Sequence, residues 1–101
     1  MIRLIVTADD KLYDRLAYRT QTEGDTPERA TDALAGLNQA TALPAGMIMV
    51  DMSLHAADTL LEALRSRQET QSIPLLAITT DGQLPFELRR LCAAVLEVGK
   101  L

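Results

Sequence analysis

A chain of 101 residues with 48% hydrophobic side chains is long enough for one domain with a buried core and too short for two. Its formal charge of −4 argues against direct binding of a nucleic-acid phosphate backbone, which needs a basic face, and two tyrosines and one phenylalanine without tryptophan offer no stacking platform for single-stranded nucleic acid. The single cysteine excludes an internal disulfide, no apolar run approaches the ~20 residues of a membrane helix, and the opening Met-Ile-Arg-Leu-Ile-Val is too short for a signal peptide, so a cytoplasmic protein is expected.

In chain order, Arg3-Leu4-Ile5-Val6-Thr7 reads as a first buried strand leading into Ala8-Asp9-Asp10. Lys11 to Glu23 then places Leu12, Tyr13, Leu16, Ala17 and Thr20 on one helical stripe, closed by Gly24. Thr26 to Ala30 is a poor strand, whose proline and charges confine it to an edge if it pairs at all. A short helix from about Asp32 to Ala40 and a turn at Leu43-Pro44-Ala45-Gly46 lead to Met47-Ile48-Met49-Val50, four apolar residues that stop at Asp51. Residues 57–67 are helical, with Leu60, Leu61 and Leu64 inward and Glu62, Arg65 and Arg67 outward, and Gln68 to Ser72 is a surface loop. Ile73 to Ile78 is a fourth strand ending at Thr79-Thr80, and Pro85 suits the first turn of a helix carrying Phe86, Leu88, Leu91 and Cys92. Ala94 to Val98 fits a fifth strand and also the end of that helix, because Leu88, Leu91, Cys92 and Val95 keep helical spacing; the strand is preferred.

Strands alternating with helices from end to end describe a parallel sheet covered on both faces, and the chemistry of such sheets collects at the strands' carboxyl ends. Here those ends carry Asp9, Asp51 and Thr79, two carboxylates and a hydroxyl suited to a hard cation and a phosphoryl group. Each residue also has a simpler reading. Asp51 suits the loop after a strand, Asp9 and Asp10 suit a helix start, Lys100 suits a frayed terminus, His55 a loop and Cys92 a core position.

The ordered set of Asp9, Asp51, Thr79 and Lys100 resembles the receiver domain of bacterial two-component response regulators, over residues 1–101 as one domain. The resemblance implies an α/β flavodoxin-like open parallel sheet, strand order 2-1-3-4-5, with helices on both faces. It implies that Asp51 accepts a phosphoryl group from a histidine kinase or phosphotransfer protein, that Thr79 and Lys100 contact that group, and that Mg²⁺ is held by Asp9, Asp51 and the carbonyl of Ser53. Such a domain signals to a downstream effector protein and is a substrate of signalling more than an enzyme. Asp58 matches an acidic residue frequent seven positions after the acceptor.

Departures from the pattern bear on that chemistry. Ala8 stands where one of two acids is usual, which predicts weak or absent Mg²⁺ binding; His55 replaces a common Pro, Thr59 a common Gly, and Thr80 is larger than the usual Ala or Gly. Glu97 falls at the place of the family's rotating aromatic, and Leu101 falls where its last helix begins, so that helix is expected to be missing. The face it would cover predicts a two-fold homodimer or a docked partner, with no contact to nucleic acid or membrane. The rival reading is a receiver-like interaction module that works without phosphorylation. A nucleotide sensor is a third, weakened by the lack of a Gly-rich phosphate loop.

Overall fold

The computed structural model describes residues 1–101. Its elements are β1 (Ile2–Val6), α1 (Asp10–Thr22), β2 (Thr26–Ala30), α2 (Ala33–Ala42), β3 (Ala45–Asp51), α3 (Ala57–Ser66), β4 (Leu75–Thr79), α4 (Phe86–Arg89) and β5 (Ala94–Glu97), followed by a 3₁₀ turn over Val98–Lys100. All neighbouring strands run parallel in the order β2-β1-β3-β4-β5, the expected flavodoxin-like arrangement. The Thr26–Ala30 segment pairs along its whole length with β1 and lies at the edge, where Pro27 removes no ladder hydrogen bond that a second neighbour would need. Val95 joins β5 in register with Ala77 and does not extend α4.

Alternation along the central strands fills two cores. Leu4, Val6, Ile48, Val50 and Leu75 point to one face, under Ala40 of α2 and Leu60, Leu61 and Leu64 of α3. Ile5, Met49 and Ile78 point to the other, where Leu12 and Leu16 of α1 are the only buried helical residues that meet them. One face therefore carries two full helices and the other carries one. Close approach of α2 depends on Gly36, because a Cβ there would lie 3.0 Å from the side chain of Val6.

Local signals fix the helix ends. Asp32 caps α2, accepting from the Ala35 amide at 2.8 Å. Gly24, at φ +87°, takes the left-handed turn that ends α1. Two expectations are corrected here. Arg65 does not merely face solvent: its guanidinium donates to the carbonyls of Leu91, Gln71 and Ile73 at 2.7–2.8 Å, joining α3 to the segments before β4 and after α4. The predicted helix from Pro85 through Cys92 shortens to the single α4 turn, with Pro85 at its N-cap, because no residue of that turn is buried and little packing supports a longer helix. The loop of residues 68–72 also carries one interior residue, Thr70, whose hydroxyl donates to the Leu64 carbonyl at 2.6 Å and closes α3.

Candidate functional site at the carboxyl edge of the sheet

Asp51 reaches its position because Ile48, Met49 and Val50 bury on both faces of the central sheet, leaving the next residue at its carboxyl edge. The side chain is 6% exposed and both carboxylate oxygens have donors. The Thr7 hydroxyl donates to Oδ2 at 2.7 Å, while the Ser53 hydroxyl and amide donate to Oδ1 at 2.7 Å and 3.0 Å. Thr7 is brought there by strand register: Val6 pairs with Val50, so the residue after β1 stands beside the last residue of β3. The ion pairs of the chain all involve Met1, Arg3 or Arg29, and no cationic side chain lies within 4.0 Å of Asp51.

The residues named from sequence therefore do not all converge. Asp9 caps α1, its Oδ1 accepting from the amides of Lys11 and Leu12 at 3.0 and 3.1 Å. This is the simpler of its two sequence readings, and it moves the helix start to Asp10. Ala8 is exposed, and the position that faces Asp51 is Thr7, one residue earlier than the acid pair implied by the resemblance. Asp10 is exposed and pairs with Arg29 at 2.8 Å, and Arg29 in turn lies 4.9 Å from the Tyr13 ring centre and donates to the Thr7 carbonyl at 3.3 Å. Lys100 is also displaced from its expected place. The 3₁₀ turn carries it onto the α1 side of the sheet, where Arg15 donates to the carbonyls of Val98 and Leu101 and draws the segment against α1.

A divalent cation is a poor fit to this arrangement. The implied set was Asp9, Asp51 and the Ser53 carbonyl, but Asp9 is committed to the helix cap and Asp51 to three hydrogen bonds, and no three acidic, histidine or cysteine side chains converge elsewhere.

What does gather beside Asp51 is a cleft of about 520 Å³ lined by Ser53, Leu54, Asp58, Thr79, Thr80 and Leu88 among others. Thr79 belongs to it as expected: it ends β4, is 8% exposed, and its buried hydroxyl has no hydrogen-bond partner. Such an unpartnered buried polar atom is uncommon in folded proteins. Thr80 stands at the mouth, His55 is exposed with no side-chain bond, and Glu97 lies in register with Thr79 on β5. Burial pushes the thiol of half-buried Cys92 up, only partly offset by nearby Arg65, which disfavours the thiolate form. Sequence reasoning missed Thr7 and Arg29. The signal for Thr7 was present: counted from the ends of the two apolar runs, it is the residue after Val6 as Asp51 is the residue after Val50.

Comparison with known proteins agrees with this fold. No protein-family model matches the chain. It is 30% identical over 88 residues to the DNA-binding dual master transcriptional regulator RpaA of Synechocystis sp., a match that spans 85% of this chain and 36% of that regulator. Among solved structures it is similar to a CheY-like response regulator receiver domain from Methylobacillus flagellatus (TM-score 0.86, 16% identity, 96% of this chain and 85% of the other). A sensor protein from Polaromonas sp. JS666 superposes with a TM-score of 0.85 at 22% identity, covering 95% and 82% of the two chains. The N-terminal domain of a response regulator receiver protein from Methanoculleus marisnigri JR1 gives 0.85 at 19% identity, with the same coverage.

Proposed function

Because this chain has the fold of a response regulator receiver domain, we propose that it is an atypical receiver in two-component signalling, accepting a phosphoryl group on Asp51 and reporting it through protein contacts. The donor is a histidine kinase or phosphotransfer protein, and the reader is an effector protein. The observation that carries the reading is the placement, at adjacent strand ends, of Asp51 and of Thr79, the residue after Asp51's register partner Ile78, whose buried hydroxyl has no partner. In the step itself a carboxylate oxygen of Asp51 attacks phosphorus, the P–N bond of phosphohistidine breaks, and the imidazole leaves and takes up a proton. The Thr79 hydroxyl would donate to a phosphoryl oxygen, which satisfies its empty hydrogen-bonding capacity and draws the residues 80–84 loop toward β3. Lys100 would have to swing from the α1 side to take part. The domain acts as a signalling substrate in the cytoplasm, not as an enzyme. The test is labelling with acetyl phosphate or perturbation by beryllofluoride in millimolar Mg²⁺, with Asp51→Asn as the control. Labelling of wild type and not of the variant is the expected result.

The second reading is a receiver-like module that works without phosphorylation. It is favoured by one observation: both oxygens of Asp51 are already engaged by Thr7 and Ser53, with no cation in reach. Absence of labelling in wild type selects it.

The binding face in either reading is the side of the sheet that α1 covers alone. A groove of about 700 Å³ runs there over Met47, Met49, Leu76 and Leu96, between Arg19 on α1 and Asp81 and Glu97 on the far wall. Glu23 on the α1 wall is paired with Arg3, and Lys100 is the single cation of the far wall. A two-fold axis over the groove sets Arg19 of each copy against the acidic wall of the other, which favours a second copy of this chain as occupant.

A further inference from the structure

We infer that Thr7 is the positioning residue of the Asp51 site, a hydroxyl that stands where a second acid would face Asp51, so that the carboxylate is held by hydrogen bonds and the site takes no divalent cation. Thr7 is fully buried, its side chain is 2.7 Å from Asp51 Oδ2, and Val6 pairs with Val50 immediately before the two residues. The Thr7 side chain is also fixed from behind, since its Oγ1 accepts the Asp9 amide at 3.0 Å. A hydroxyl with one donor and two acceptor lone pairs is thereby used fully enough to have one orientation: proton toward Asp51, lone pair toward the Asp9 N–H. Arg29, donating to the Thr7 carbonyl at 3.3 Å, anchors the same residue through its backbone.

A carboxylate in place of Thr7 reverses the electrostatics. Two acids at hydrogen-bonding distance repel unless a proton or a cation lies between them, and together they supply oxygen donors of the kind a hard cation takes. Thr7 donates a hydrogen bond to Asp51 instead, so the carboxylate is held in the folded site without metal. The neighbour Ala8 is exposed, whereas Thr7 is fully buried against Asp51, so Thr7 is the position that meets the carboxylate directly.

Thermal unfolding with and without millimolar Mg²⁺ tests this on the full chain, in wild type, Thr7→Asp, Thr7→Val and Ala8→Asp. Wild type should shift by less than about 1 °C on adding Mg²⁺, whereas Thr7→Asp should gain at least about 4 °C, because a ligand that binds only the folded state raises its melting temperature. Ala8→Asp should follow wild type. Thr7→Val keeps the shape, strips Asp51 of its Oδ2 donor, and should lose at least about 4 °C with no response to Mg²⁺. A wild-type response to Mg²⁺ that disappears in Asp51→Asn overturns the inference, as does a Thr7→Val protein as stable as wild type. So does a larger Mg²⁺ response from Ala8→Asp than from a folded Thr7→Asp. Should Thr7→Asp fold only in Mg²⁺, that supports the inference; should it fold in neither condition, the Thr7→Val result decides. None of these measurements involves a phosphoryl donor, so their outcome is separable from the labelling of Asp51.

Discussion

The hydroxyl of Thr79 and the carboxylate of Asp51 stand on adjacent strand ends in opposite conditions, one without a partner and the other with three. Removing the first loses no hydrogen bond, so Thr79→Val should leave stability unchanged or slightly raised, within about 1 kcal/mol by urea denaturation, while the response to beryllofluoride is lost. A substantial loss of stability would make Thr79 a structural residue. Asp9 has the reverse profile: as the α1 cap, Asp9→Ala should cost about 0.5–2 kcal/mol and leave any labelling of Asp51 intact. The pairs near the N-terminus respond to acid. A hydrogen bond from the Met1 ammonium holds the Asp25 carboxyl below its ordinary 3.8, and Arg3 holds Glu23 below its ordinary 4.5. Both carboxyls bind fewer protons folded than unfolded, so their contribution is complete above about pH 4.5 and fades as the pH falls through the lowered values. Stability of Asp25→Asn should therefore fall less steeply than that of wild type over that acid range.

At the scale of elements, the central strands divide cleanly from the site. Ile78 is 1% exposed and packs under α1, so Ile78→Ala should cost roughly 2–5 kcal/mol, against near neutrality one residue later at Thr79. This contrast also explains what was legible in the sequence. The runs Leu4-Ile5-Val6 and Ile48-Met49-Val50 read directly as buried strands, and the acid and hydroxyl that close β3 and β4 followed from the ends of their apolar runs. The start of α1 was less legible, because Asp9 satisfies the rule for a helix cap and the rule for a strand-end acid equally well. Only packing decides between them. Lys100 was misplaced for a similar reason: strand-to-site counting assumes that the chain continues straight beyond Glu97, and the turn at Val98–Lys100, held by Arg15, does not. Arg65 was read as solvated because a charged side chain at the edge of a helical stripe usually is, and periodicity does not reveal three free carbonyls above it.

For the whole molecule, unequal covering of the sheet is the dominant feature. The face under α2 and α3 holds the larger core, and the face under α1 leaves Met47, Leu76 and Leu96 along an open groove. Apolar patches of a few hundred Å² are seldom left bare in solution. Light scattering after size exclusion at micromolar concentration should therefore give a two-fold dimer, and Met47→Glu should return it to monomer without loss of the fold. A monomeric wild type that binds no apolar dye would remove the groove as an interface.

The single guanidinium of Arg65 has a kinetic consequence. No residue of α4 is fully buried and Leu88, Leu91 and Cys92 pack only partly against the core, so the Arg65 bond to the Leu91 carbonyl is a main polar tie of this segment to α3. Opening of this flap should then be a cooperative event distinct from global unfolding, with the amides of Leu91 and Cys92 exchanging with deuterium together and well before those of β3. In Arg65→Lys, which cannot hold three carbonyls in one plane, both should exchange at least about tenfold faster while the β3 amides keep their protection.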